Sequence, residues 1–173
     1  GATDVIQECA AGLIPLRRVD DQWAFAAPPL VRSGPVAAED LRTVCEILGV
    51  EQVVDAQWVD NGPGWVAVLL DTVEELMALQ PGPLRGYDIG AVALHPGGEP
   101  ADLEVRAFFD VGGKTVEDPV TGSLNAAVAP WLTGTARLRY PYTARQGTAI
   151  GRRGMVRLTQ ADGEVWVAGA TST

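Results

Sequence analysis

A chain of 173 residues, 47% hydrophobic and 20% charged, is long enough to bury one core and too apolar to be disordered. Its net charge of −9 argues against binding the phosphate backbone of a nucleic acid. No apolar run approaches the roughly 18 residues of a membrane span, so no membrane partner is expected either.

Residues 4–27 read as short strands. "VIQECAAGLIPLRRV" and "QWAFAA" are β-prone runs broken by Gly12 and by Asp20-Asp21, the pattern of an antiparallel meander. "PPLVRSGP" is too rich in proline for a helix interior or a central strand. In "AEDLRTVCEILGV", Leu41, Val44, Cys45 and Leu48 recur at helical spacing and Gly49 is a stop signal, so an amphipathic helix is predicted. "QVVDAQWVD" and "WVAVLL" are two strands around the rigid loop "NGPG". "DTVEELMALQ" is a second helix, with Asp71 or Thr72 as N-cap and Pro81 just past its end. "YDIGAVALH" and "LEVRAFF" follow as strands, a third helix covers roughly residues 121–133, and "RLRYPYTA", "GMVRLTQ" and "EVWVAGA" close the chain. The expectation is one α+β domain over residues 1–173, with about eight strands and three helices.

Charge is unevenly spread. Residues 1–100 hold five Lys/Arg against fifteen Asp/Glu, whereas residues 101–173 hold eight against seven. The second segment suits a small anionic ligand better, and it contains the most informative stretch, "TVEDPVTGSLNAAVAPWL". There two acids run into a proline, then into Thr121-Gly122-Ser123, then into a small-residue apolar helix. A helix start leaves backbone N–H groups unpaired and carries the positive end of the dipole, so it can hold a carboxylate. Gly122 permits close approach to the backbone, and Thr121 and Ser123 offer hydroxyls to a ligand or to the helix as caps. Pro119 biases Asp118 to an extended conformation, from which its carboxylate can point across the helix mouth. Read alone, the same residues also fit a plain N-cap and turn.

Other conspicuous residues carry less. His95, the only histidine, ends a strand in "LHPGGEP" and reads as a loop residue. Glu117 reads as structural, a candidate partner for Arg106. Arg152 in "GRRG" could clamp a carboxylate. Trp65 could wall a pocket, although tryptophans in apolar strands are ordinarily core. Cys9 and Cys45 lack metal-type spacing and read as free thiols of a reducing compartment. No basic segment precedes an apolar one near residue 1, so a cytoplasmic location is expected. "GTAIGRRG" lacks the strand-to-helix setting of a nucleotide site, and no cofactor or metal is expected.

The motifs "VIQECAAGLIPLR", "FAAPP", "RSGPV", "DNGPGWVAVLL", "YDIGAV", "EVRAFF", "EDPVTGSLNAAVAPWL", "QGTAIGRRG" and "VWVAGAT", in that order, resemble the phenazine-biosynthesis PhzF-like isomerase family, relatives of diaminopimelate epimerase. The resemblance covers essentially the whole chain. It implies one lobe of a diaminopimelate epimerase-like fold, a mixed sheet curled round a central helix, with the active site in the cleft between two such lobes. It also implies cofactor-free proton transfer next to a substrate carboxylate; the phenazine enzyme isomerises a dihydro-hydroxyanthranilate. The family's glutamate acid/base belongs to the N-terminal lobe and has no match here, nor do the "GNPAAV"-like and "CGHAT"-like segments. This chain resembles the C-terminal lobe only.

By that resemblance Asp118 and Ser123 are the catalytic candidates. Gly122 and Ser123 would donate N–H groups to the carboxylate, and Asp118 would bind or polarise an amino or hydroxyl group. Thr121 and Asn61, the latter in a substrate-lining loop, are the further binding candidates. The partners implied are a small carboxylate-bearing substrate and an N-terminal lobe in cis or in trans, as a homodimer or heterodimer. A stand-alone homodimeric lobe that binds a carboxylate without catalysis is the alternative.

Overall fold

The computed structural model of the chain describes residues 4–9, 12–19 and 22–169; the Cys9 side chain lies outside the described residues. The mixed sheet of the expectation is present, but the chain is mostly sheet, with twelve strands rather than about eight among the described residues. In chain order the elements are β1 (Asp4–Cys9), β2 (Gly12–Val19), β3 (Gln22–Ala26), β4 (Arg32–Pro35), α1 (Ala38–Leu48), β5 (Asp55–Asp60), β6 (Trp65–Leu69), α2 (Val73–Ala78) and β7 (Asp88–Leu94). They continue with β8 (Leu103–Val111), β9 (Lys114–Asp118), α3 (Gly122–Gly134), β10 (Tyr142–Gln146), β11 (Gly154–Ala161) and β12 (Glu164–Gly169). The strand order is β1-β2-β3-β12-β11-β10-β8-β7-β6-β5-β4, with β9 pairing β8 off this path. The β6–β7 and β8–β10 pairs are parallel and the rest antiparallel. The proline-rich β4 sits at one end of the sheet, where a missing N–H costs no ladder bond.

Why some strands are uniformly apolar and others alternate follows from what covers them. On β6, Trp65, Ala67 and Leu69 join the core beneath α3, while Val66 and Val68 join the core beneath α1 and α2. Both faces are covered, so "WVAVL" is buried throughout. In β11, Val156 and Leu158 join the α3 core while Met155 and Arg157 stay exposed, the pattern of a strand covered on one face.

The run Leu124–Ala129 of α3 is buried without a break, so every side of the helix meets protein there. Its small residues permit that approach, and Leu124 fits because Gly90 faces it: a Cβ on Gly90 would lie 2.4 Å from Leu124 Cδ1. A fully buried Leu such as Leu124 or Leu132 contributes about 1.5–3 kcal/mol relative to exposure. On the other face α1 closes on Gly49, which adopts a left-handed conformation and donates to the Cys45 and Glu46 carbonyls. Thr72 caps α2 by accepting from the Glu75 N–H at 3.1 Å. No helix among the described residues is long and apolar enough to cross a membrane.

Candidate functional site

The stretch from Glu117 to Ser123 leaves β9 and enters α3. Glu117 faces α2, where its carboxylate takes a two-pronged pair from Arg106: Nε at 3.1 Å and Nη2 at 2.7 Å. Asp118 is the last residue of β9, opposite Ala107 of β8. Thr121 is the N-cap residue of α3 in backbone conformation, but its side chain makes no cap bond. Its hydroxyl donates instead to Asp118 Oδ2 at 2.6 Å. The helix start is therefore left without a side-chain cap, the condition under which its N–H groups are open to an anion.

Gln146, fully buried at the end of β10, organises this turn. Its Nε2 donates to the Asp118 carbonyl and to Thr121 Oγ1, each at 2.9 Å. Its Oε1 accepts from the Thr121 N–H at 3.0 Å and from Asn125 Nδ2 at 2.8 Å. Asn125 also donates to the Thr121 carbonyl at 2.9 Å. Two glycines bring the following segment against the turn. A Cβ on Gly147, whose φ is +87°, would stand 2.7 Å from the Pro119 carbonyl oxygen, and one on Gly154 2.1 Å from Val120 Cγ2.

On the other side lies a cleft of about 780 Å³, lined by Ile14, Leu16, Phe25, Val31, Asn61 and Ser123 among others. It is mainly apolar, with the polar groups at Gln7, Asn61 and Ser123. Asn61 Nδ2 donates to the Ser123 carbonyl at 2.9 Å, and its buried Oδ1 has no partner among the described residues. Ser123 Oγ accepts from Trp65 Nε1 at 3.1 Å.

The structure thus brings Asn61 and Ser123 together at the cleft. Asp118, Thr121 and Gly122 stand behind them, outside its lining residues. The space that a bare Gly122 leaves is used by the Phe25 ring, 3.2 Å from where a Cβ would be. Trp65 is a core residue that holds Ser123 rather than a pocket wall.

Sequence reading missed Gln146 and Asn125. Both carried a signal: Gln146 follows Tyr142 and Ala144 on the inward parity of its strand, and Asn125 interrupts an apolar helix. A polar residue at a core-facing position must find partners, and these find the motif.

His95 lies in the loop just past β7, as read, but it is not a surface residue. Its side chain is 5% exposed, and Nε2 lies 2.8 Å from Glu104 Oε2. Glu104, with no exposure, also takes Arg145 Nε at 2.7 Å and the Thr148 hydroxyl. Arg152 and Arg153 are exposed and outside the cleft lining.

Comparison with known proteins now adds to the geometry. The sequence profile of the family described as phenazine biosynthesis-like protein matches residues 1–173. The chain belongs to that family. No curated protein matches it. Among solved structures, a PhzF-family phenazine biosynthesis protein of Bacillus anthracis is similar with a TM-score of 0.76 at 15% identity, over 98% of this chain and 66% of that one. The PhzF-family protein of Enterococcus faecalis gives a TM-score of 0.71 at 18% identity, over 98% and 62%. A predicted epimerase of Pseudomonas aeruginosa gives 0.71 at 20%, over 98% and 64%. At such identities the likeness is one of fold, and the chain spans less than two thirds of the length of these proteins.

Proposed function

We propose that the chain is the C-terminal lobe, its sheet curled round α3, of a cofactor-independent PhzF-like isomerase or epimerase. The reaction moves a proton on carbon next to the carboxylate of a small organic acid. An N-terminal lobe, in cis or in trans, completes the site. The observation that carries this reading is the uncapped start of α3, with Asp118 held beside it and an apolar cleft in front of Ser123. Family membership supports it.

In this reading the N–H groups of Gly122 and Ser123 hold the substrate carboxylate. Their dipole offsets the negative charge that spreads onto it when the neighbouring carbon loses its proton. Asp118 binds the substrate's amino or hydroxyl group. Asn61 Oδ1, buried without a partner among the described residues, accepts from a second substrate donor. The base that takes the carbon-bound proton comes from the N-terminal lobe. The proton returns to carbon, so electrons balance with no redox partner.

The test is solvent-deuterium incorporation, read by mass spectrometry, into a panel of small carboxylic acids incubated with the complete two-lobed protein in D2O. Incorporation that Asp118→Ala abolishes is the expected result. Incorporation unaffected by Asp118→Ala overturns the reading. Carboxylate binding by the 173-residue chain as a homodimer, with no incorporation from the two-lobed protein, would instead establish a binding lobe.

A further inference from the structure

Gln146 sits at the centre of a hydrogen-bond set whose direction can be deduced. The Thr121 backbone N–H can only donate, so the amide atom facing it is the oxygen, Oε1. The Asp118 carbonyl can only accept, so the atom facing it is the nitrogen, Nε2. Two backbone groups thus fix the amide orientation independently of each other, and no flipped alternative satisfies either.

The second hydrogen on Nε2 then goes to Thr121 Oγ1. A hydroxyl that accepts on this side must turn its single hydrogen elsewhere, and its other partner is Asp118 Oδ2 at 2.6 Å. That separation falls in the range of an O–H···O⁻ bond to an ionised carboxylate, about 2.5–2.7 Å. Asp118 Oδ2 is therefore an acceptor committed inside the protein, whereas Oδ1 has no partner among the described residues.

We propose that Gln146 and Thr121 are positioning residues: a one-way chain, Gln146 to Thr121 to Asp118, that occupies Oδ2 and presents Oδ1 to the substrate. The same hydroxyl that would otherwise cap α3 is spent on Asp118. One residue thereby opens the helix start to an anion and orients the neighbouring acid. The direction of the chain is a property of the fold, whereas its catalytic value rests on the proposed isomerase reading.

The two are separated by experiment. In the 173-residue chain labelled with 13C and 15N, the Thr121 hydroxyl proton is expected to show a through-hydrogen-bond coupling to Asp118 Cγ. Gln146→Glu keeps the shape but removes the donor, so the hydroxyl should turn to the new carboxylate and that coupling should be lost. Thr121→Ser, in an otherwise wild-type chain, should keep the coupling to Asp118 Cγ. A coupling from the hydroxyl to the Gln146 side chain in the wild type, or one to Asp118 that persists in Gln146→Glu, overturns the proposal.

In the two-lobed protein, Thr121→Val should lower the rate constant for deuterium incorporation at saturating acid by about 10- to 100-fold, as expected for one lost hydrogen bond to a charged group. Thr121→Ser should recover most of it. An unchanged rate in Thr121→Val removes the positioning role while the isomerase reading stands. Absence of incorporation in the wild type removes the isomerase reading while the coupling measurement still decides the direction of the chain.

Discussion

Arg106 and Glu117 face each other across β8 and β9 as a two-pronged ion pair with side chains only 7% and 9% exposed. The remaining Nη1 of Arg106 donates to the Leu76 and Leu79 carbonyls at 2.9 and 3.0 Å, closing the end of α2. One guanidinium thus ties a helix end to the residue just before Asp118. Removing the cation strands a buried carboxylate and those carbonyls, so Arg106→Met should cost about 3–5 kcal/mol. Arg106→Met with Glu117→Leu removes both charges and should recover part of the loss. Urea unfolding of the two variants checks this; a double variant no more stable than the single one contradicts it.

Glu104 gives a second ordering to test. Its carboxylate has no exposure and is shared by His95, Arg145 and Thr148. Arg145→Met withdraws the permanent cation and leaves the charge buried, at about 3–5 kcal/mol. Glu104→Gln removes the charge itself and keeps the shape, at about 1.5–3 kcal/mol. Thermal and denaturant melts should therefore rank Arg145→Met as the worse; the reverse order contradicts this.

The two glycines behind the Asp118 turn should not be equivalent. Gly147→Ala places a Cβ at a φ of +87° and 2.7 Å from a backbone oxygen that cannot move without the turn. A loss of about 2–4 kcal/mol is expected. Gly154→Ala, at a negative φ, meets first Val120, a residue 43% exposed, and then the Gln146 carbonyl oxygen at 3.1 Å, and should cost about 1–2 kcal/mol. Equal losses would show that the loop, not the glycine conformation, absorbs the strain.

Much of the architecture was legible because local signals agreed with tertiary demand. Val44 and Leu48 are buried on α1 and Gly49 ends it, as their spacing predicts. The Arg106–Glu117 pair, a candidate from the sequence, forms as a two-pronged ion pair. Four things were not legible. The strand β9 was hidden at the start of the motif, because Lys114–Asp118 is polar but for Val116 and its pairing depends on Gly112 and Gly113 making the turn. "RLRYPYTA" begins pairing only at Tyr142, past a cis Tyr140–Pro141 bond that sequence pattern does not announce. The burial of the loop residue His95 was not legible because Glu104 and Arg145, its neighbours in space, are 9 and 50 residues away in sequence. The parity of its strand marks Gln146 as inward-facing but does not show what it meets: its partners Asp118, Thr121 and Asn125 come to it only once β10 has crossed to pair with β8.

Asp88 offers a pH test. Burial, and then the charge of Asp110, raise its carboxyl above the ordinary aspartate value of 3.8. The folded state then holds its proton more tightly than the unfolded one. Stability from this group is present below the unfolded value and is lost as pH rises through the folded one. Asp88→Asn should accordingly raise the melting temperature at pH 7, with the gain shrinking to nothing as pH falls below about 3.5. A gain that is the same at both pH values would assign the effect to packing and not to charge.

Asn61 separates stability from binding. Among the described residues its Nδ2 makes one bond, to the Ser123 carbonyl, while its buried Oδ1 has no partner. Truncation to Ala forfeits about 1 kcal/mol from the first and relieves a penalty of similar size from the second, so folding stability should hardly change. Binding should not be spared. If a ligand N–H or O–H satisfies Oδ1, the variant loses that bond and also the anchor that holds the Ser123 carbonyl and hence the start of α3. Affinity for an amino or hydroxy acid that binds the two-lobed protein should then fall about 10-fold or more, while the same acid lacking that donor should lose less. Calorimetric titration of the matched pair of acids against Asn61→Ala makes the measurement. Equal losses for the two acids would mean that Asn61 serves only to hold Ser123.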